Sequence, residues 1–329
     1  MLHAPAGGFT EPVIGWLEQL FDTLTSVSLP LLALGLALQT TQMVLVALAW
    51  RNILRAAYPQ GDVQFRPILA YYAGGVGLNS ILPASAGTAA MIGLFRSRIR
   101  NSTVAGLLGA TLVQNIFFIA VSAVVYLWLF LDVAGSFELE FGWFTDHPTA
   151  SIVILVGGGA LLFIAGRTLY TKFRATWNNA RDGGEILSDR SAYMKQVVLV
   201  EAGSYIARMG VNATFMYAFH VPVSVQNVFL IVAASSISST IALLPGAVGA
   251  QTALATVVLK GVAPASVISN YTVSQSLITT AWNVLVGFTL LSKEIGWPAT
   301  RALMHRGDRK KKKLDADAEP PDVYDPAHS

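Results

Sequence analysis

The stretch ILPASAG runs from Ile81 to Gly87, and LLPGAVG runs from Leu243 to Gly249. Each sets a Leu-Pro pair four residues ahead of a glycine, inside a long uncharged segment: Pro67–Phe95 for the first, Gln226–Leu259 for the second. Proline breaks or kinks a helix because it lacks an amide N–H and its ring collides with the preceding turn. A bilayer is crossed by roughly 20 apolar residues. Both segments are longer than one comfortable span, so each reads as a helix broken in two at Pro83 and Gly87, or at Pro245 and Gly249.

Five further segments are apolar and long enough to span: Pro30–Trp50, Thr103–Leu131, Thr149–Tyr170, Val197–Phe219 and Ala265–Leu291. Hydrophobic residues make up 53% of the 329-residue chain and charged residues 12%. A soluble chain carries about 25% charged residues, so this composition marks an all-α polytopic membrane protein. There is no cysteine, which excludes disulfides, thiolate metal sites and cysteine nucleophiles. The five histidines stand apart, and no metal site is expected. Neither a phosphate-binding P-loop nor a nucleophile elbow is present. No cofactor, no ATP hydrolysis and no enzymatic activity are expected.

Orientation follows from Lys and Arg in the short loops. Arg51, Arg55 and Arg66 precede the first broken segment, and Arg96, Arg98 and Arg100 follow it, so residues 51–66 and 96–101 both read as cytoplasmic. Residues 132–148 hold acidic side chains and no Lys or Arg, and read as external. Residues 171–195, with Lys172, Arg174, Arg181, Arg190 and Lys195, read as cytoplasmic, as does the tail with Arg309 to Lys313. The first broken segment therefore enters and leaves on the cytoplasmic side. The loop 219–225 has no Lys or Arg, so the second broken segment enters and leaves on the external side, with Lys260 the one contrary charge.

The chain thus divides into two inverted-topology repeats, each a span, a re-entrant hairpin and a span. Residues 30–131 form the first, with its hairpin at 67–95, and residues 197–292 the second, with its hairpin at 226–259. A linking transmembrane helix at 149–170 lies between the external loop and the cytoplasmic loop of 132–196. Two broken helices meeting near the bilayer midplane are a transporter arrangement, tolerated where the break is buried in protein or lines a wet cavity. The other reading is two ordinary spans kinked by Pro and Gly. Residues 1–29 place Val13, Ile14, Leu17, Leu20, Phe21 and Leu24 on one helical face, an amphipathic interfacial segment or a helix packed on the bundle. Residues 293–329 begin basic, at Arg306 and Arg309–Lys313, and end in an acidic, Pro-rich stretch expected to be disordered. The N-terminus is expected outside and the C-terminus inside.

Ionisable groups within a membrane are costly, by about 2.5–3.5 kcal/mol for Arg at a helix centre on insertion scales, and are functional candidates for that reason. Glu201, Tyr205, Arg208 and Asn212 recur at i, i+4, i+7 and i+11 and form one polar stripe on the span 197–219. Arg208 falls about 17 Å into a helix rising ~1.5 Å per residue. Its planar guanidinium suits an anionic headgroup or phosphate; the competing role is structural, held by Glu201 or by hairpin carbonyls. Ser85 sits in the first break, where helix-start N–H groups favour an anion. Ser236, Ser239 and Gln251 flank the second, either as substrate contacts or as small residues for close helix packing. Thr272, Ser276, Thr279 and Asn283 repeat the polar spacing on the last span, and Gln39, Gln42, Gln114 and Asn115 mark the first two. Facing stripes suggest a hydrated path, with interhelical hydrogen bonding as the alternative.

Pro83-x-x-x-Gly87, Pro245-x-x-x-Gly249 and the run AWRNILRA that closes the first span resemble the lysylphosphatidylglycerol synthase transmembrane-region family, over roughly residues 30–292. The resemblance implies a flippase-like protein in the cell membrane of a bacterium or archaeon, handling lipid-linked and often anionic substrates between leaflets. Where family members often carry an acidic residue after the first hairpin glycine, this chain has Thr88. Where a Glu-Arg pair is common, it has Gln114-Asn115. The tail after Leu291 is too short for the soluble aminoacyl-transferase domain that names the family, so lysyl-lipid synthesis is not expected. The leading expectation is a flippase or scramblase for a lipid or lipid-linked envelope precursor. The alternative is a non-transporting scaffold for an envelope glycosyltransferase or related enzyme. Membrane lipids are the expected partners; nucleic acid is not, because no soluble basic face with interleaved aromatics exists.

Overall fold

The computed structural model describes residues 27–81, 86–134, 181–241, 247–301 and 303, with the side chains of 126–134, 181–182, 237, 239–241 and 247–248 left aside. The N-terminal segment, both Leu-Pro turns, the external loop, the linking span and the basic tail lie outside these residues. All regular structure among them is helical.

α1 spans Leu29–Ala57, with Pro30 in its first turn and Arg55 in its last. Proline is at home there, where the missing N–H has no partner to lose, and the helix stops one residue before Tyr58-Pro59. α2 (Phe65–Ile81) and α3 (Ala86–Arg98) are separated at the first Leu-Pro, as the sequence leads one to expect. α4 covers Val104–Ala134. A 3₁₀ helix, Arg181–Ser188, leads into the short α5 (Arg190–Tyr193), a π-helical turn (Met194–Val198) and α6 (Leu199–Ala218). α7 (Val225–Ile241) and α8 (Ala247–Val258) are separated at the second Leu-Pro, and α9 (Ala265–Ile295) closes the bundle.

Lengths sort the helices. At ~1.5 Å per residue, the 13 residues of α3 and the 12 of α8 reach about 20 Å, short of the ~30 Å hydrocarbon core. Leu29–Ala57 and Val104–Val125 are long and apolar enough to cross it. α6 and α9, with 20 and 31 residues, match it in length, but their polar residues hold them below that hydropathy. Large apolar side chains stand exposed on the outside of these helices: Ile119 (66%), Val124 (68%), Ile206 (69%) and Leu285 (59%). In water such a surface would aggregate; against lipid tails it is matched to its solvent.

Small residues set the packing. α2 and α3 run antiparallel: the rings of Tyr71 and Phe95 lie 6.2 Å apart, Gly75 lies against Met91, and Asn79 meets Gly87 and Thr88. α2 also packs against α9. A Cβ on Gly74 would strike Leu291, one on Gly77 would sit 3.0 Å from the Asn283 carbonyl oxygen, and one on Gly287 would strike the Ala73 carbonyl. Thus the glycines of GGVG serve two neighbours, Gly74 and Gly77 turned to α9 and Gly75 to α3. α1 and α6 cross antiparallel through Gly35 on Phe215, Leu38 on Gly210 and Leu45 on Gly203. α4 meets α7 through Val121 and Val125 against Phe229 and Ala233, while α8 packs on both α7 and α9.

Two large apolar cores result among the described residues. One gathers Trp50, Tyr71, Phe95, Leu107 and Val113, and the other Phe215, Met216, Ile231, Leu259 and Tyr271.

Candidate functional site

Between the two cores runs a seam of polar side chains. Glu201 heads it, in the first turn of α6 and fully buried. Its Oε1 accepts a hydrogen bond of 3.0 Å from Gln114 Nε2 on α4, and its Oε2 one of 2.9 Å from Ser204 Oγ. A buried carboxylate is stable only where such donors replace water. The half-buried Tyr72 of α2 lies within electrostatic reach of both Glu201 and Arg208, and Tyr193 within reach of Glu201.

Two turns along α6, half-buried Arg208 extends Nη2 to within 3.5 Å of Ser236 Oγ on α7. That hydroxyl in turn donates to the Val232 carbonyl at 2.8 Å. Next on the stripe, Asn212 is buried; its Nδ2 donates to the Arg208 carbonyl, and its Oδ1 accepts from Tyr271 Oη at 3.3 Å and from Gln275 Nε2 at 3.1 Å. Thr272 Oγ1 donates to Thr252 Oγ1 at 3.1 Å, which ties α9 to α8. On the far side of the bundle, Gln39 Nε2 donates to Asn283 Oδ1 at 3.0 Å and Trp282 Nε1 to Thr40 Oγ1 at 2.9 Å.

Of the stripe expected on the span 197–219, Glu201 is tied to Gln114 and Ser204, Asn212 is bonded to the Arg208 carbonyl, and Tyr205 packs in the second core. Gln114 joins the seam but Asn115 does not: its exposed side chain turns back to the Thr111 carbonyl, 2.9 Å away. Adjacent helix residues point about 100° apart, so the two amides had to separate. Gln251 donates to Ser235 Oγ at 3.2 Å and joins α7 to α8. Pro83, Ser85 and Pro245 lie outside the described residues, as does the side chain of Ser239. Gly87 and Gly249 open the short helices α3 and α8.

Tyr271 and Gln275 were not singled out in the sequence. Each sits one position before a member of the Thr272 and Ser276 stripe, and their own i, i+4 spacing was the available signal. Asn79 also escaped notice. Its Oδ1 accepts from the backbone N–H groups of Gly87 at 2.8 Å and Thr88 at 3.3 Å, and its Nδ2 donates to Thr88 Oγ1 at 3.0 Å. It caps α3 from outside that helix and closes the first break. Among the described residues no group of three His, Cys, Asp or Glu side chains is placed to hold a metal ion.

The seam offers a carboxylate, a guanidinium, three amides and several hydroxyls inside a lipid-facing bundle. Such a set can exchange hydrogen bonds with a polar, charged group that would otherwise cross hydrocarbon bare. Comparison with curated proteins and with solved structures gives no match. The model of one family, the lysylphosphatidylglycerol synthase TM region, matches residues 13–287. The chain belongs to that family and is a membrane protein with transmembrane helices.

Proposed function

We propose that this member of the lysylphosphatidylglycerol synthase TM region family is a flippase or scramblase, passing the headgroup of a lipid or lipid-linked envelope precursor along the seam while the acyl chains stay in the bilayer. The observation that carries the proposal is the row of Glu201, Arg208 and Asn212 along α6, bonded in turn to side chains of α4, α7 and α9. Arg208 suits an anionic headgroup, because its fork of donors matches phosphate oxygens. The setting is the cell membrane of a prokaryote, with the N-terminus external and the C-terminus cytoplasmic. No chemical step by this chain is part of the proposal.

The bundle is read as two inverted repeats, α1–α4 and α6–α9. Pairing across the bundle supports this. Exchanging α1 with α6, α2 with α7, α3 with α8 and α4 with α9 turns the α2–α9 contact into α7–α4, and the α3–α4 contact into α8–α9; all four occur. The same exchange relates the Gln39–Asn283 bond, from α1 to α9, to the Glu201–Gln114 bond, from α6 to α4. Rocking one repeat against the other would open the seam to each leaflet in turn.

Purified protein in liposomes carrying fluorescent headgroup-labelled phospholipids tests the proposal. Translocation faster than in empty liposomes is expected, with Arg208→Ala slowing it at least about tenfold, the scale of one charge-assisted hydrogen bond. Arg208→Lys should restore only part of the rate. Translocation no faster than in empty liposomes, across anionic, zwitterionic and lipid-linked probes, would overturn it.

A further inference from the structure

At the Arg51 end of α1, the 3₁₀ helix and α5 fold back over α1 and enclose a cleft of about 800 Å³. Twelve residues separate Arg51 from Gln39, about 18 Å of helix, so the cleft lies well away from the Gln39 bond. It is a formed feature. Gly183 presses on the backbone of Gly106 and Ala110 of α4, where a side chain would not fit, and Ile186 is buried in the first core.

Beside Ser188 in the wall, the polar lining is Arg51, Asn52, Arg55, Glu185, Asp189 and Gln196. Two of these are already engaged: Asn52 Nδ2 donates to the Gln196 carbonyl at 2.8 Å, and Asp189 Oδ1 caps α5 at the Ala192 N–H, 2.9 Å away. The arginines are not. Ion pairs among the described residues join Arg66 to Glu294 and Arg98 to Asp62, and neither Arg51 nor Arg55 enters one. Arg51 Nε is buried without a hydrogen-bond partner. A buried donor in that state loses its water and gains nothing in return, so in a native fold it calls for a partner such as a water, an ion or a ligand. Arg51 and Arg55, at i and i+4, share one face of α1 and direct two guanidinium groups into the same space.

We propose that this cleft binds a phosphate-bearing ligand, its phosphate held by Arg51 and Arg55 and its cationic or hydroxylated remainder turned to Glu185. A guanidinium pair favours phosphate oxygens through parallel, charge-assisted hydrogen bonds, and Glu185 opposes a second anion. The ligand is either a lipid headgroup reaching the cleft from the membrane or a soluble phosphoester. The site stands whether or not the central seam carries a headgroup.

A cysteine placed in the lining reads this out, because the chain has none of its own. Ser188→Cys, exposed in the cleft wall, is alkylated in the purified full-length protein with increasing phosphoethanolamine in one arm and dioctanoyl phosphatidylethanolamine in the other. Saturable protection is expected, with the half-protecting concentration raised at least about tenfold by Arg55→Gln and by Arg51→Gln, the equivalent of losing one charge-assisted bond. Arg55 is exposed, so its substitution leaves folding intact; Arg100→Gln, outside the cleft, should change nothing. Protection in both arms supports a phosphate site open to soluble esters, and protection by the lipid alone supports a headgroup site. No protection in either arm, an unchanged Arg55→Gln variant, or an equal loss in Arg100→Gln would overturn the proposal.

Discussion

The α2–α3 pair and the α7–α8 pair begin from the same sequence sign, a Leu-Pro with a glycine four residues on, and close by different means. In the first, a Cβ on Gly87 would collide with the Gly75 carbonyl and come within 2.7 Å of the Asn79 amide nitrogen. Here the glycine is the condition for contact, and Asn79 ties the N-terminus of α3 to α2. In the second, a Cβ on Gly249 would meet nothing within 4 Å. The work passes to side chains, with Gln251 bonded to Ser235. A repeated motif marks where a helix stops; it does not say how the two arms then hold each other.

The sharpest way to break this contrast is to fill both glycines and follow thermal unfolding in detergent. Gly87→Val should cost about 3 kcal/mol or more, because the backbone of α2 must give way at both Gly75 and Asn79. Gly249→Ala should be neutral, or up to about 1 kcal/mol stabilising, since alanine is the better helix former. Equal losses at the two positions would mean that both pairs close alike.

The second test compares the two cross-bundle bonds. Glu201→Ala leaves Gln114 Nε2 without an acceptor in a buried place, while Ser204 Oγ keeps the residue-201 carbonyl at 2.8 Å, a loss of about 2 kcal/mol. Gln39→Ala, at a part-buried bond, should lose about 1 kcal/mol. A smaller contrast concerns the side chains that tie each pair together. Asn79→Ala should cost about 1–2 kcal/mol, the range of helix-cap losses, whereas Ser235→Ala should cost under about 1 kcal/mol. Smallest of all, Asn115→Ala should stay within about 0.5 kcal/mol of wild type, although its neighbour Gln114 is part of the seam. A large effect at Asn115 would mean that its exposed side chain is covered in the membrane.

Much of this architecture was legible because a bilayer leaves few choices. Charge is scarce, so apolar length marks the spans; proline cannot be hidden in a helix, so Pro83 and Pro245 announce the breaks. The polar stripe through Glu201, Arg208 and Asn212 followed from helical periodicity alone. What the sequence withheld is which stripe faces which. Gln114 and Asn115 are chemically near-equal neighbours, and only the angle of α4 sends one inward and the other out. The glycines of GGVG were silent for a related reason, because a glycine's role lies in the atoms that approach it, here Leu291, Met91 and the Asn283 carbonyl. The convergence of Tyr271 and Gln275 on Asn212 depends on how α6 and α9 cross, which no spacing within one helix records.

The central claim is that the two broken segments open to opposite sides of the membrane, and single cysteines in this cysteine-free chain test it most directly. Ser97, at the end of α3, and Ser266, at the start of α9, are both exposed. Each Cys variant is expressed in cells and exposed to a membrane-impermeant thiol reagent before and after lysis. The inverted arrangement requires Ser266→Cys to react in intact cells and Ser97→Cys to react only after lysis. Labelling of both from the same side would contradict it and leave two kinked spans in place of mirrored hairpins.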